Sequence, residues 1–160
     1  EIIEAMRLYR LSVEQVQAVI HRQSIVHSLV EFRDGALLAQ LGTPDMKLPI
    51  RYALTYPHRA ESPDAPLDLL TCGALTFDRP DEEAFPCLRL ARQAAAAGGT
   101  ACAILNGANE AAVGLFLEGN IGFNDISRRV ERALERVPVQ YQPSLADILE
   151  ADGAARRAIL

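Results

Sequence analysis

The sequence predicts an α+β fold, a β-hairpin region followed by a four-helix bundle. Three observations predict it. An Asp34-Gly35 turn separates two apolar runs. Proline then clusters at Pro57, Pro63, Pro66, Pro80 and Pro86. From there to the C-terminus, amphipathic Ala- and Arg-rich segments recur with short connections, the pattern of a small antiparallel bundle. The expected divisions are residues 1–58, a linker over 59–85 and a helical domain over 86–160.

The elements follow in chain order. Glu1–Leu11 places Ile2, Met6 and Tyr9 at helical spacing. Ser12 with Gln15 forms a capping box for one short turn. Val16–Ile20 reads as a buried strand. Ile25–Phe32 and Ala36–Leu41 flank Arg33-Asp34-Gly35, a strong hairpin signal. Gly42-Thr43-Pro44-Asp45 is a turn, and Ile50–Tyr56 a short helix between Pro49 and Pro57. Leu75-Thr76-Phe77 reads as one more strand.

Four helices complete the chain. The first, from Pro86 to Ala97, carries Leu88, Ala91 and Ala95 as its stripe and stops at Gly98-Gly99. The second runs from Thr100 to Glu118, with Ile104, Ala108, Ala112, Leu115 and Phe116 inward. The third starts with Asn124 as N-cap, buries Ile126, Val130, Ala133 and Leu134, and ends before Pro138. The fourth starts at Ser144 with Asp147 as capping-box partner, and Leu145, Ile148 and Leu149 line its face.

Composition excludes several classes. The chain has 160 residues, 49% hydrophobic and 23% charged, which are globular values. A net charge of −5 argues against a nucleic-acid partner, since phosphate binding needs a basic surface. No apolar run approaches the roughly 20 residues of a membrane span. The opening Glu-Ile-Ile-Glu has no initiator Met, basic region or cleavage site, an opening expected inside a longer chain rather than for a signal peptide. Cys72, Cys87 and Cys102 are odd in number and widely spaced, as expected for reduced thiols of a cytoplasmic protein.

The residues that could carry chemistry are few. Glu1 and Glu4 lie at i, i+3 on one helix face. Such a pair can hold a hard cation such as Mg²⁺ or Mn²⁺; spacing alone favours a solvated acidic helix terminus. His21, Ser24 and His27 cluster before a strongly apolar strand. No G-x-S-x-G elbow and no placed acid accompany them, so a hydrolase is not indicated. His58 reads as a surface residue. Met46 closes the Gly42–Asp45 loop, where it either fills core or packs on a flat ligand ring. Asn106-Gly107-Ala108-Asn109-Glu110 interrupts a good helix with poor helix formers, which polar bonding to a neighbouring element would explain. Glu110 lacks the Glu-x-x-His pattern of carboxylate-bridged metal bundles. Gly98-Gly99 is a helix stop, not a phosphate-cradling loop.

Taken in order, Glu1-Ile-Ile-Glu-Ala, His21-Arg-Gln-Ser-Ile-Val-His27-Ser, Asp34-Gly-Ala-Leu-Leu-Ala-Gln-Leu-Gly-Thr-Pro-Asp-Met46, Leu75-Thr-Phe77, Phe85-Pro-Cys-Leu88 and Asn106-Gly-Ala-Asn-Glu110 resemble the 1-deoxy-D-xylulose 5-phosphate reductoisomerase family over essentially the whole chain. The resemblance implies the end of an α/β catalytic domain, a linker and the C-terminal helical bundle, without the NADPH-binding domain or the start of the catalytic domain. It implies reduction and rearrangement of 1-deoxy-D-xylulose 5-phosphate to 2-C-methyl-D-erythritol 4-phosphate, with NADPH and Mg²⁺ or Mn²⁺, in a homodimer. Glu1 then matches a metal carboxylate that also meets substrate, and Glu4 the acid one turn later. Ser24 matches a substrate-binding wall position and His27 a catalytic one. Pro44 and Met46 match a segment beside the nicotinamide. Two departures stand out. Arg22 replaces the family's usual Pro, which would alter the rigidity of the wall. Gly107 replaces an Ala, adding helix flexibility worth roughly 1 kcal/mol. The chain alone is expected to be inactive. A stand-alone, non-catalytic oligomerisation or partner-binding module is the alternative.

Overall fold

A computed structural model describes all residues, 1–160, as six helices and two strands in an α+β arrangement. The chain divides into two compact units, Glu1–Ala18 with Pro80–Leu160, and Val19–Arg79.

In the first unit, α1 spans Ile2–Tyr9, and Arg10 ends it in the left-handed conformation at φ 55. A 3-10 turn follows at Val13–Gln15, where the predicted capping box forms: Gln15 Oε1 accepts the Ser12 N–H at 2.9 Å. Residues Val16–Ile20 are not a strand. Only Ile20 makes an isolated bridge, to Asp78, and both Val19 and Ile20 are exposed. The segment is too short of partners to form a ladder, so its apolar run misleads. For the same reason Leu75-Thr76-Phe77 is not a strand.

The helices α3 (Pro86–Ala97), α4 (Ala101–Leu117), α5 (Phe123–Arg136) and α6 (Leu145–Ala158) form the bundle. Their core joins Leu90, Ile104, Ala108, Ala112, Ile126, Val130, Ala133, Val137, Ala151, Ala155 and Ile159. In α3 the most buried positions are Leu90 and Ala94, one residue before the Ala91–Ala95 stripe read from sequence. In α5 the N-cap is Gly122, not Asn124, and the Asp125 carboxylate accepts the Gly122 N–H at 3.0 Å. In α6 the Ser144–Asp147 box forms as expected. Its inner face is Ala151, Ala155 and Ile159, whereas Leu145 and Leu149 are exposed. Small residues on α6 meet Gly107, Ala108 and Ala112 of α4, so the two backbones approach closely; leucine would hold them apart.

Gly107 is set by that approach rather than by flexibility. An alanine Cβ there would lie 2.6 Å from Asp152 Oδ1 and 2.9 Å from the Asp152 backbone oxygen. The Asp152 carboxylate is itself held by Arg156, at 2.7 and 3.1 Å. Gly107→Ala should therefore cost about 1–2 kcal/mol, overpacking outweighing the gain in helix propensity. Urea unfolding checks this, and a stabilised variant would refute it.

The Asn-Gly-Ala-Asn-Glu interruption does bond to a neighbouring element. Arg156 of α6 donates to Glu110 at 2.6 Å, and Asn106 donates to Glu110 at 3.1 Å. Arg156, and secondarily Asn106, hold the Glu110 carboxyl below the usual carboxylate range. A depressed folded pKa stabilises above the unfolded value of about 4.5 and is lost as pH falls through the folded one. Melting temperature should therefore fall faster between pH 5 and pH 3, an acid range set by ordinary carboxylate pKa values, than it does in Arg156→Met. Equal slopes would count against the network.

In the second unit, β1 (Val26–Glu31) pairs antiparallel with β2 (Leu37–Leu41), as Asp34-Gly35 predicts. Gly35 has φ 84, and Asp34 Oδ1 accepts the Ala36 N–H at 3.0 Å. Helix α2 spans Lys47–Thr55, starting before Pro49 rather than after it. Pro49 sits in the first turn, where its missing N–H has no intrahelical partner to lose. Cys72, Cys87 and Cys102 are free thiols. No helix is long and apolar enough to cross a membrane.

Candidate functional site

The hairpin ladder brings Ser24 and Pro44 to one end of the second unit. Val26 pairs with Leu41 at that end, and the Gly42 N–H donates to the Ile25 carbonyl at 3.0 Å. Ile25 is buried there.

Ser24 sits in the left-handed region at φ 52, with its N–H donating to the His21 carbonyl at 3.1 Å. A serine there costs energy that its surroundings must over-determine, and such strain clusters at functional sites. His27 lies in β1 at an irregularity of register. Val26 faces Leu41 and Ser28 faces Gln40, so His27 is the residue left without a partner. A bulge re-aims a side chain, and the imidazole here is exposed, as is every residue of β1 after Val26. No sequence signal marks that bulge.

Pro44 is exposed in its turn. Met46 caps α2 and is 64% exposed, so it is not core filler of this unit. Beside it, Asp45 Oδ1 accepts the Lys47 N–H at 2.9 Å, and Lys47 Nζ reaches Asp45 Oδ2 at 3.1 Å. The Lys47 backbone N–H, then its ammonium, hold the Asp45 carboxyl below its ordinary value. Arg51 donates to Asp64 at 3.0 Å, and Lys47 lies 3.9 Å from the same carboxylate. The Asp45 carboxylate thus ties the turn to the first residue of α2, next to Met46.

His21 is half-buried and bonded rather than free: its Nδ1 lies 2.8 Å from the Thr76 carbonyl. Arg22, expected to alter the rigidity of the wall, reaches Asp78 at 3.8 Å with both side chains largely exposed. His58 is exposed, as expected.

Glu1 and Glu4 belong to the other unit. Glu1 is the N-cap of α1, its carbonyl accepting the Ala5 N–H at 2.8 Å, and Glu4 lies in the first turn. Both are exposed. Their carboxylates suit a hard divalent cation in kind. They fall short in number, since no group of three or more His, Cys, Asp or Glu is placed to hold a metal. Gly98-Gly99 is occupied by its own fold: a Cβ on Gly99 would lie 2.2 Å from the Gln140 carbonyl oxygen.

The chain as a whole is similar to known proteins. The family described as DXP reductoisomerase C-terminal domain matches residues 41–158. The 1-deoxy-D-xylulose 5-phosphate reductoisomerase of Acetivibrio thermocellus is 48% identical over 99% of this chain, which covers 42% of that protein. A DOX-P reductoisomerase solved in complex with magnesium superposes with a TM-score of 0.91 at 46% identity, over 99% of this chain and 42% of its own. The Zymomonas mobilis enzyme in complex with NADPH gives a TM-score of 0.89 at 41% identity, with the same coverage. The chain thus spans about two fifths of the length of these relatives.

Proposed function

The chain belongs to the 1-deoxy-D-xylulose 5-phosphate reductoisomerase family, and on that premise we propose that it is the C-terminal portion of such an enzyme. The intact enzyme converts 1-deoxy-D-xylulose 5-phosphate to 2-C-methyl-D-erythritol 4-phosphate in non-mevalonate isoprenoid biosynthesis, in the cytoplasm. Residues 1–58 close its catalytic domain, 59–85 link, and 86–160 form its helical domain. The observation that carries this reading is likeness in sequence and fold along 99% of the chain.

Glu1 and Glu4 contribute carboxylate oxygens to Mg²⁺ or Mn²⁺, the remaining ligands coming from upstream residues or water. The ion, when bound, supplies Lewis-acid polarisation of the substrate's oxygens. Glu1 also meets substrate. Ser24 offers a hydroxyl to the substrate at the closed end of the hairpin. The His27 imidazole, re-aimed by its bulge, exchanges hydrogen bonds with the reacting hydroxyls. Pro44 and the exposed Met46 thioether give a flat apolar contact for the nicotinamide of NADPH. The rest of the dinucleotide is held by a separate domain of the intact enzyme.

The enzyme is a homodimer in this reading. Each strand of the two-stranded sheet has one unpaired edge, and Val30, Leu37 and Leu38 are exposed beside them. Such edges invite pairing, and a lone hairpin is marginal in water.

The 160-residue chain by itself should not oxidise NADPH in the presence of substrate and Mg²⁺ or Mn²⁺, because two carboxylates do not fix the ion. Absorbance at the nicotinamide band measures this. Turnover by the isolated chain would overturn the assignment of roles. A strictly monomeric mass by light scattering in the intact enzyme would overturn the dimer.

A further inference from the structure

Two motifs 53 residues apart in sequence meet within the hairpin unit. Ile20 and Asp78 exchange both backbone hydrogen bonds, each at 2.9 Å. Next to this bridge, His21 Nδ1 approaches the Thr76 carbonyl at 2.8 Å. A carbonyl oxygen only accepts, so Nδ1 carries the proton. The His21 ring stacks on Phe77, centroids 4.6 Å apart at 14°. Gln23 grips Thr76 through three hydrogen bonds. Its Oε1 accepts the Thr76 N–H at 3.3 Å and the hydroxyl at 3.1 Å, and its Nε2 donates to the same hydroxyl at 2.9 Å.

These contacts pin the chain immediately before Ser24. The Gly42–Ile25 hydrogen bond pins it immediately after. Ser24, at φ 52, is the single strained residue between the two clamps. An unfavourable conformation persists only where neighbours over-determine it. Released from Thr76, the segment would relax towards an ordinary backbone and carry the Ser24 hydroxyl with it.

We infer that Thr76, acting through Gln23 and His21, is a positioning residue that sets the orientation of Ser24 in the substrate-binding wall. This rests on the reading of Ser24 as a wall residue. Thr76 touches no reacting atom and carries no chemistry of its own. Its hydroxyl is the part of the strap that a shape-conserving substitution removes.

The test uses the full-length enzyme that carries this segment, assayed with 1-deoxy-D-xylulose 5-phosphate, NADPH and Mg²⁺. Thr76→Val should lower kcat/KM about tenfold, mostly through KM, since misplacement of a positioning contact acts on the bound geometry. Its melting temperature should stay close to the parent's. Hydrogen–deuterium exchange should quicken over residues 20–25. Thr76→Ser, which keeps the hydroxyl, should restore both readouts. Gln23→Met removes the partner amide and is read in the same way, so a folding failure of Thr76→Val decides nothing alone. Parental kcat/KM in Thr76→Val and Gln23→Met, with a Ser24→Ala variant that is impaired, overturns the positioning role and leaves the wall intact. Parental kcat/KM in Ser24→Ala overturns the wall reading and the positioning role together.

Discussion

Gly99→Ala is expected to destabilise the helical unit by about 3 kcal/mol or more, two mechanisms acting at one residue. Gly99 has φ 53, a conformation that costs an L-residue roughly 1 kcal/mol. Its added Cβ would also sit 2.2 Å from the Gln140 carbonyl oxygen and 3.0 Å from the carbonyl carbon. That oxygen cannot swing away cheaply. It accepts the Thr100 N–H at 3.0 Å, while the Gln140 N–H donates to Thr100 Oγ1 at 3.0 Å. Thr100 is fully buried, so breaking the pair strands polar groups away from water. Gly119→Ala is the control. It also has a positive φ, 77, but no atom lies within 4 Å of the new Cβ, so the cost should be about 1 kcal/mol. Thermal melts of the two variants decide the matter. Equal melting temperatures would mean that the carbonyl clash is relieved by a small backbone shift.

Ile104→Ala should cost about 3–4 kcal/mol, the other large effect in the molecule. Ile104 is the largest fully buried side chain, in a cluster with Leu90, Ala108, Val130 and Ala133. Nearly half of that cluster is alanine, which has no rotamer to swing into the space. The cavity should therefore stay open and its cost add to the lost transfer energy. Ile104→Val should cost about 1 kcal/mol by the same reasoning. Urea unfolding with an unchanged m-value measures both. A loss below about 1.5 kcal/mol for Ile104→Ala would show that the helices close in.

The two capping boxes were legible because each is a local exchange between residues three apart, Ser12 with Gln15 and Ser144 with Asp147. The hairpin was legible for the same reason: Asp34 and Gly35 make their turn with their own neighbours. Misreadings arose where the deciding partner was distant. Val16–Ile20 and Leu75–Phe77 look like strands, yet the one bridge there joins Ile20 to Asp78, just past the second run. The face of α6 was assigned to Leu145, Ile148 and Leu149 because large apolar residues usually point inward. The close contact with α4 favours Ala151 and Ala155 instead. Asn124 is a good N-cap by type, but Asp125 reaches back to Gly122 and starts the helix two residues earlier.

The candidate site divides in the same way. Its residue types were legible, since ordered motifs from Glu1 to Glu110 carry the family resemblance. What those residues do in space was not. The bulge at His27 and the grip of Gln23 on Thr76 both depend on pairings between distant segments. The sequence by itself determined the helices, the hairpin and the family, because these rest on local propensity, turn chemistry and ordered motifs. Only the tertiary structure decided which faces are buried, why Gly99 and Gly107 must lack a side chain, and how the wall before β1 is held. Those outcomes depend on close approach between segments far apart in the chain, and no local pattern encodes that distance.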